Sequence, residues 1–107
     1  MEDIDFHDSV LVEMTNSNNV ILFEIQGAFY QDKKVDVNVH IFDPQKTLID
    51  NIEVDIWRKP SPTGEILTFD ITHDMLWGII EWDEYTPSKH YIVSYKVYGG
   101  TVNIEIM

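Results

Sequence analysis

The sequence contains no cysteine and few basic residues. Without cysteine, a disulfide-stapled scaffold, a cysteine nucleophile and a thiolate zinc site are all excluded. Seven lysines and arginines stand against nineteen aspartates and glutamates, which gives a formal net charge of −12 at pH 7. Capture of nucleic acid or of an anionic membrane needs a cationic face, so this charge balance argues against direct binding to either.

Segments that would target or anchor the chain are also missing. The first basic residue is Lys33, so the sequence lacks the basic region of a secretory signal. The longest apolar runs, such as residues 20–23, are far shorter than the roughly 20 residues that a membrane-spanning helix needs. We therefore expect a cytoplasmic protein without membrane contact.

What the sequence does contain is alternation of apolar and polar residues, which is the pattern of β-strands. No segment keeps a helical period beyond one or two turns, and residues 72–75 are compatible with a single helical turn. The predicted strands span residues 8–15, 20–27, 35–42, 52–57, 65–71, 76–82, 90–98 and 101–106. We expect residues 1–107 to form one all-β domain, an antiparallel β-sandwich or half-open barrel of about eight strands with at most one short helical turn.

The segment 91–106 is predicted to form a hairpin around a two-residue turn at Gly99-Gly100. Both glycines tolerate the positive φ values of such turns. Every apolar residue on one side then meets an apolar partner, which predicts one buried face. Its predicted cross-strand pairs are Val93–Ile106, Tyr95–Ile104 and Val97–Val102.

A tight hairpin at Asp43-Pro44 would not match apolar residues with apolar partners in this way. A tight hairpin there sets Val39 opposite Asp50, so an apolar residue would face a charged one. We therefore expect either a bulge or a longer loop, with strand pairing beginning near Ile52.

Candidates for catalysis or metal binding are few. Histidine precedes aspartate at residues 7–8 and 73–74, but neighbours on a strand point to opposite faces, so neither pair can act together outside a turn. His40 is expected to face outward, and no third ligand stands at a workable spacing. Residues 50–55 alternate like a strand and lack the glycine and the terminal glutamate of a calcium loop. We predict no enzymatic activity, no metal and no cofactor.

The acidic residues are unevenly distributed. Between Lys59 and Lys89 there is no basic residue, and six carboxylates fall within residues 65–84. Trp57 falls on the polar side of its predicted strand, and an exposed tryptophan is typical of an anchor in a protein interface. We predict that a basic protein surface docks on nine residues: Asp36, Glu53, Asp55, Trp57, Asp70, Asp74, Glu81, Asp83 and Glu84.

Two short segments resemble a group of bacterial proteins. They are Asp5-Phe6-His7-Asp8-Ser9-Val10-Leu11 and Gly78-Ile79-Ile80-Glu81-Trp82-Asp83. In these segments, in size and in acidity, the chain is similar to small all-β immunity proteins of polymorphic toxin and contact-dependent growth inhibition systems. The resemblance implies a non-enzymatic inhibitor that binds one cognate toxin domain in the cytoplasm and blocks its active site. Toxins that cut RNA or DNA need basic clefts for phosphates, and an acidic protein competes for such clefts.

Two other functions stay open on the sequence alone. One is a half-open barrel that binds a carbohydrate or another small molecule without catalysis. The other is a small hydrolase built on exposed carboxylates such as Glu81 and Asp83. In each case we expect a monomer or a weak dimer.

Overall fold

Nine antiparallel strands make up the described part of the protein, in a computed structural model that covers residues 4–54, 63–72, 74–85 and 88–107. For residues 83–85 and 88–90 only the backbone is described. The strands are β1 Val10–Ser17, β2 Val20–Tyr30, β3 Lys33–Phe42, β4 Lys46–Ile49, β5 Ile52–Glu53, β6 Gly64–Ile71, β7 Met75–Tyr85, β8 Ser88–Tyr98 and β9 Thr101–Ile106. No helix occurs within these ranges, so the predicted all-β class is confirmed, with nine strands rather than about eight.

All the described strands belong to one sheet, in the order β5-β4-β8-β7-β6-β1-β2-β3-β9. The turns Asn18-Asn19, Gln31-Asp32 and Asp50-Asn51 close three of its hairpins, and each of these residues has the positive φ that two-residue primed turns require. A single core cluster takes residues from both halves of the sheet. The sheet therefore curls onto itself as a β-sandwich or half-open barrel, as predicted.

Two bent strands form the corner where the halves of the sheet meet. β3 continues into β4 through residues 43–45, and β8 continues into β9 through residues 99–100. The two bent strands pair with each other on both sides of the bend, because β3 pairs with β9 and β4 pairs with β8. The corner thus connects regions that lie far apart in the strand order.

The predicted hairpin over residues 91–106 is therefore wrong. Gly99 and Gly100, with φ of 73° and 82°, carry the chain away from β7 and lay β9 beside β3. A Cβ atom on Gly100 would lie 2.6 Å from the carbonyl oxygen of Phe42, so the two bent strands approach each other at backbone contact distance. The residues of the predicted apolar face do point inward, but their strands pair with strands other than those predicted. Tyr95 and Val97 are buried, and the half-buried residues are Val93, Val102, Ile104 and Ile106.

The connection at Pro44 is also different from the prediction. Neither a bulged nor a longer hairpin joins β3 to the strand that follows, because β4 pairs with β8 and with β5. Ile52 pairs with Ile49 and is 67% exposed, although its place in the alternation of residues 52–57 favours an inward position. The strand predicted over residues 52–57 is described as β5 at Ile52–Glu53, and residues 55–57 lie outside the described residues.

The core lies between the two halves of the curled sheet. Trp82 and Tyr95 are among its largest buried side chains, and Trp82 Nε1 donates a hydrogen bond to Tyr95 Oη at 3.0 Å. Trp82 is in phase with buried Ile80, since the two residues are two positions apart on β7. β3, predicted as a strand from its alternation, buries its apolar residues Val37, Val39 and Ile41. The residues between such positions face outward and form the surface described next.

Candidate protein-binding face

A row of four residues crosses the outer surface of β1, β6, β7 and β8. Taken in strand order, it consists of Val10, Glu65, Glu81 and Ile92, each directly opposite the next. These positions face outward because the next residue on the same strand is buried, as Ile66 is on β6 and Ile80 is on β7. We call this set the acidic row.

The two carboxylates at the centre of the acidic row repel each other. Directly opposite residues in an antiparallel pair have Cβ atoms about 4.5–5.5 Å apart, and like charges there destabilise the sheet. Glu65 is exposed and Glu81 is half-buried, and among the described side chains no cation lies at ion-pair distance from either. A cation brought by a partner would remove this repulsion.

Aliphatic side chains flank the two carboxylates. Val10 is 36% exposed at the β1 end of the row, and Ile92 is 58% exposed at the β8 end. Both residues offer apolar surface that a bound protein removes from water, which is favourable by about 25 cal/mol per Å². The row therefore combines unneutralised charge with accessible apolar area.

The acidic row reaches the candidate residue Asp36 at its β1 end. An open cleft of about 300 Å³ there is lined by Asp8, Val10, Gln26, Gly27, Lys34 and Asp36. Lys34 supplies a cation to this cleft, so its negative charge is partly balanced, unlike that of Glu65 and Glu81. Asp36 thus adds to the end of the row rather than to its centre.

A second row crosses the outer surface near the other end of β7. From β6 to β5 it consists of Asp70, Trp77, Lys96, Leu48 and Glu53. Lys96 lies between the two carboxylates and donates from Nζ to Asn51 Oδ1 at 2.9 Å. Half-buried Trp77 donates from Nε1 to Ser94 Oγ at 3.3 Å. Trp77 and Glu81 lie on the same strand at a separation of about 13 Å, so this mixed row runs parallel to the acidic row.

Four of the predicted partner-binding residues thus lie on the outer surface of the sheet, but they are not gathered in one cluster. Glu81 is at the centre of the acidic row, and Asp36 is at its end. Asp70 and Glu53 are at opposite ends of the mixed row, separated by three strands. Of the four, Glu81 alone stands directly opposite another carboxylate.

Of the five other predicted partner-binding residues, the structure describes one with its side chain and two by their backbone. Asp74 is exposed in the β6–β7 connection, and its carbonyl oxygen accepts a hydrogen bond from the Gly99 N–H at 2.9 Å. Asp83 and Glu84 belong to β7, where their backbones pair with β8. Asp55 and Trp57 lie outside the described residues.

The pairing of Glu65 with Glu81 does not follow from the sequence pattern. Counted back from the β6–β7 turn, a regular ladder would set Glu81 opposite Ile66. The ladder shifts by one residue between Ile66 and Thr68, and this bulge brings the two glutamates face to face. A bulge of this kind has no distinct signal in the alternation pattern.

The histidines form no metal site within the described ranges. His7 and Asp8 do meet, because they lie in a turn, with Nδ1 and Oδ2 3.1 Å apart and both side chains exposed. His40 is half-buried with its ring stacked 5.9 Å from that of Phe42, and its Nδ1 has no hydrogen-bond partner in the described part. No group of three His, Asp or Glu side chains in that part is placed to hold a metal ion. His73 lies outside the described residues.

Tyr95 is a titratable group of the core. Burial raises the pKa of its phenol from 10.0 to about 12, and the hydrogen bond from Trp82 opposes this shift. The phenol therefore stays protonated at neutral pH and accepts the Trp82 N–H. Its role in this arrangement is to fix the packing between β7 and β8.

Comparison with models of known families, with curated proteins and with solved structures finds no match for this chain. In the described part of the chain, no helix has the length and apolar character needed to cross a membrane. Function is therefore inferred from the residues of the outer surface and from their charges.

Proposed function

We propose that this chain is an immunity protein that binds a cognate toxin domain in the cytoplasm and blocks its active site. The toxin is a nuclease with a basic cleft, and the inhibitor acts by binding, without catalysis. The observation that supports this function best is the acidic row, in which Glu65 and Glu81 face each other with no neutralising cation in the described part.

The acidic row offers a basic partner two sources of binding energy. A lysine or arginine placed between Glu65 and Glu81 removes their repulsion and makes charge-assisted hydrogen bonds, which are stronger than neutral ones. Exposed Val10 and Ile92 add apolar contact on both sides of the charges. Together these features match the basic cleft of an enzyme that holds phosphates.

Association kinetics test the proposal. The partner is the toxin domain encoded directly upstream, and both rate constants are measured by surface-immobilised kinetics at low and at physiological salt. We expect association to slow as salt rises, because a net charge of −12 steers the encounter with a basic surface. Failure to bind this domain at either salt concentration contradicts the proposed function.

A matched pair of variants separates the acidic row from net charge. Glu65→Gln with Glu81→Gln neutralises the row, whereas Asp32→Asn with Asp43→Asn removes the same charge from exposed turns. We expect the first variant to weaken binding by about tenfold and the second by less than about threefold. Equal losses of affinity for the two variants would show that binding depends on net charge and that the toxin does not contact the acidic row.

Binding of a carbohydrate or another small polar molecule is the second candidate function. A cleft of about 320 Å³ beside the corner supports it, and its lining is mostly polar: Asn16, Asn19, Pro44, Gln45, Lys46, Thr47, Glu53 and Val54. Calorimetric titration with soluble oligosaccharides tests this function. Binding heat that is present for the unaltered protein and absent for Glu53→Gln would favour carbohydrate binding. Absence of binding heat with every sugar tested would contradict it.

A further inference from the structure

β9 is the last strand of the described sheet, and no other described strand pairs with one of its edges. It pairs with β3 from Val37–Ile106 to Phe42–Thr101 without a register shift, and it pairs with no other described strand. The ladders β1–β2, β2–β3 and β6–β7 each contain a register shift. The free edge of β9 is therefore a regular series of backbone groups.

The register identifies the groups that point to this edge. The Met107 N–H donates to the Asp36 carbonyl oxygen at 2.9 Å. Hydrogen-bonded positions alternate along an antiparallel ladder, so alternate residues before Met107 also bond to β3, namely Glu105, Asn103 and Thr101. The N–H and C=O groups of the other three residues point to the free edge: Val102, Ile104 and Ile106.

This edge has few of the features that usually protect edge strands, and Glu105 is the one charged residue of β9. Proteins block such edges with lysine, proline, bulges or very short strands. Thr101–Ile106 contains neither lysine nor proline, and its ladder has no bulge. At the other end of the described sheet, β5 covers just Ile52–Glu53. β9 is thus long and regular enough to pair with a further strand.

The surroundings of the β9 edge are acidic on the outer side and apolar on the inner side. Glu24, Asn38 and Glu105 lie opposite one another across β2, β3 and β9. A cleft of about 270 Å³ beside them also includes Asp36 and Met107 in its lining. Neither β9 nor the part of β3 that pairs with it contains lysine or arginine. On the inner side the half-buried residues are Val102, Ile104 and Ile106.

We propose that the free edge of β9 binds an extended segment of a partner protein as an additional strand. The segment alternates apolar residues, which cover the inner side, with lysine or arginine, which faces Glu105 on β9. Two copies of this chain, each with a charge of −12, repel each other, so the charge favours a basic partner over a second copy. This surface goes beyond the proposed function, because β2 and β3 separate β9 from the β1 end of the acidic row.

Three eight-residue peptides, each titrated against the whole protein by fluorescence anisotropy, test strand addition. The first alternates valine and lysine, the second is the same peptide with all backbone amides methylated, and the third carries glutamate in place of lysine. We expect the first to bind and the other two to bind at least about tenfold more weakly, since strand addition needs both amide donors and positive charge. Equal binding of the first two peptides would overturn the proposal, because charge alone would then explain it.

Variants of the protein locate the bound peptide. Ile104→Pro removes an edge-facing N–H and leaves the ladder to β3, and proline is tolerated at such positions. Ile104→Ala is the matched control, since it removes the side chain and keeps the N–H. We expect Ile104→Pro to bind the valine–lysine peptide at least about tenfold more weakly than Ile104→Ala, with both folded by circular dichroism.

Two results would contradict either the proposed binding site or the proposed partner. Equal affinity of Ile104→Pro and Ile104→Ala would place the peptide elsewhere. A dimer in sedimentation that Ile104→Pro abolishes would make a second copy the occupant. If Ile104→Pro does not fold, Val102→Pro against Val102→Ala gives the same contrast, because the Val102 N–H also points to the edge.

Discussion

The β7–β8 hairpin and the β8–β9 connection share a pattern of alternating apolar and polar residues but have different structures. In both, two alternating strands follow each other after a short connection. β7 and β8 pair along their full length, from Met75–Tyr98 to Tyr85–Ser88. β8 and β9 share an inner face but pair with different strands.

The hydrogen bonds at the corner explain this difference. The Gln45 N–H donates to the Tyr98 carbonyl oxygen, and the Gly99 N–H donates to the Asp74 carbonyl oxygen, each at 2.9 Å. These bonds tie both bent strands to neighbouring segments at the corner. Alternation therefore predicts which face a residue occupies, whereas the neighbouring strand depends on partners distant in the sequence.

The largest expected effect is in the β7–β8 hairpin. Ile80→Ala removes a side chain that is 1% exposed and should lower the free energy of unfolding by about 3–4 kcal/mol. Ile104→Ala, in half-buried β9, should cost about 1–2 kcal/mol, because part of its surface stays in water in the folded protein. Urea unfolding of both variants measures the contrast. An Ile104→Ala loss as large as that of Ile80→Ala would mean that β9 is covered by another strand.

A change at the corner should have the next largest effect. Gly100→Ala places a Cβ 2.6 Å from the Phe42 carbonyl oxygen at a φ of 82°, and we expect a loss of about 2–3 kcal/mol. Gly27→Ala is the control, because its φ is 79° but its close contact is the flexible end of Lys34. The control should lose about 1 kcal/mol from the positive φ alone. Equal losses in urea unfolding would contradict close backbone contact at the corner.

The smallest expected effect concerns Tyr95, on the part of β8 that pairs with both β7 and β4. Tyr95→Phe leaves the Trp82 N–H without its acceptor and should cost about 1–2 kcal/mol at pH 7.

The same variant should change the response to alkaline pH. The pKa of Tyr95 is about 12 in the folded chain and 10.0 without burial, so the unfolded chain loses this proton first. Its stabilising contribution is complete below pH 10 and is lost as pH rises to about 12. Urea unfolding across this range should show a smaller decline for Tyr95→Phe than for the unaltered protein or for Tyr30→Phe. Identical declines in all three would contradict the raised pKa.

The fold class could be predicted from the sequence because alternation is a local property. The inward positions of Val37, Val39, Ile41 and Trp82 follow from spacing along single strands. The pairing at Gly99-Gly100 could not be predicted, since positive φ values suit both a two-residue turn and a corner. Apolar residues on β8 and β9 match each other as well as they match β3, β4 and β7.

The acidic character of the candidate site could be predicted from the sequence, but the positions of its residues relative to one another could not. A shortage of cations between Lys59 and Lys89 indicates an acidic surface, and Glu81 was expected to belong to it. That Glu65 faces Glu81 depends on a one-residue bulge between Ile66 and Thr68. The free edge of β9 was equally out of reach, because it depends on the strand order at the corner, which joins residues distant in the sequence.

The corner also sets the order in which the chain can fold. β1–β2–β3 and β6–β7–β8 are sequential hairpins, so their pairing closes short loops. The contact between Asn38 and Met107, by contrast, joins residues 69 positions apart, and the chain entropy lost in such a closure must be offset before the contact adds stability. We therefore expect the two hairpin units to form early and β9 to dock last, in a slow phase that Gly100→Ala retards and Gly27→Ala leaves unchanged.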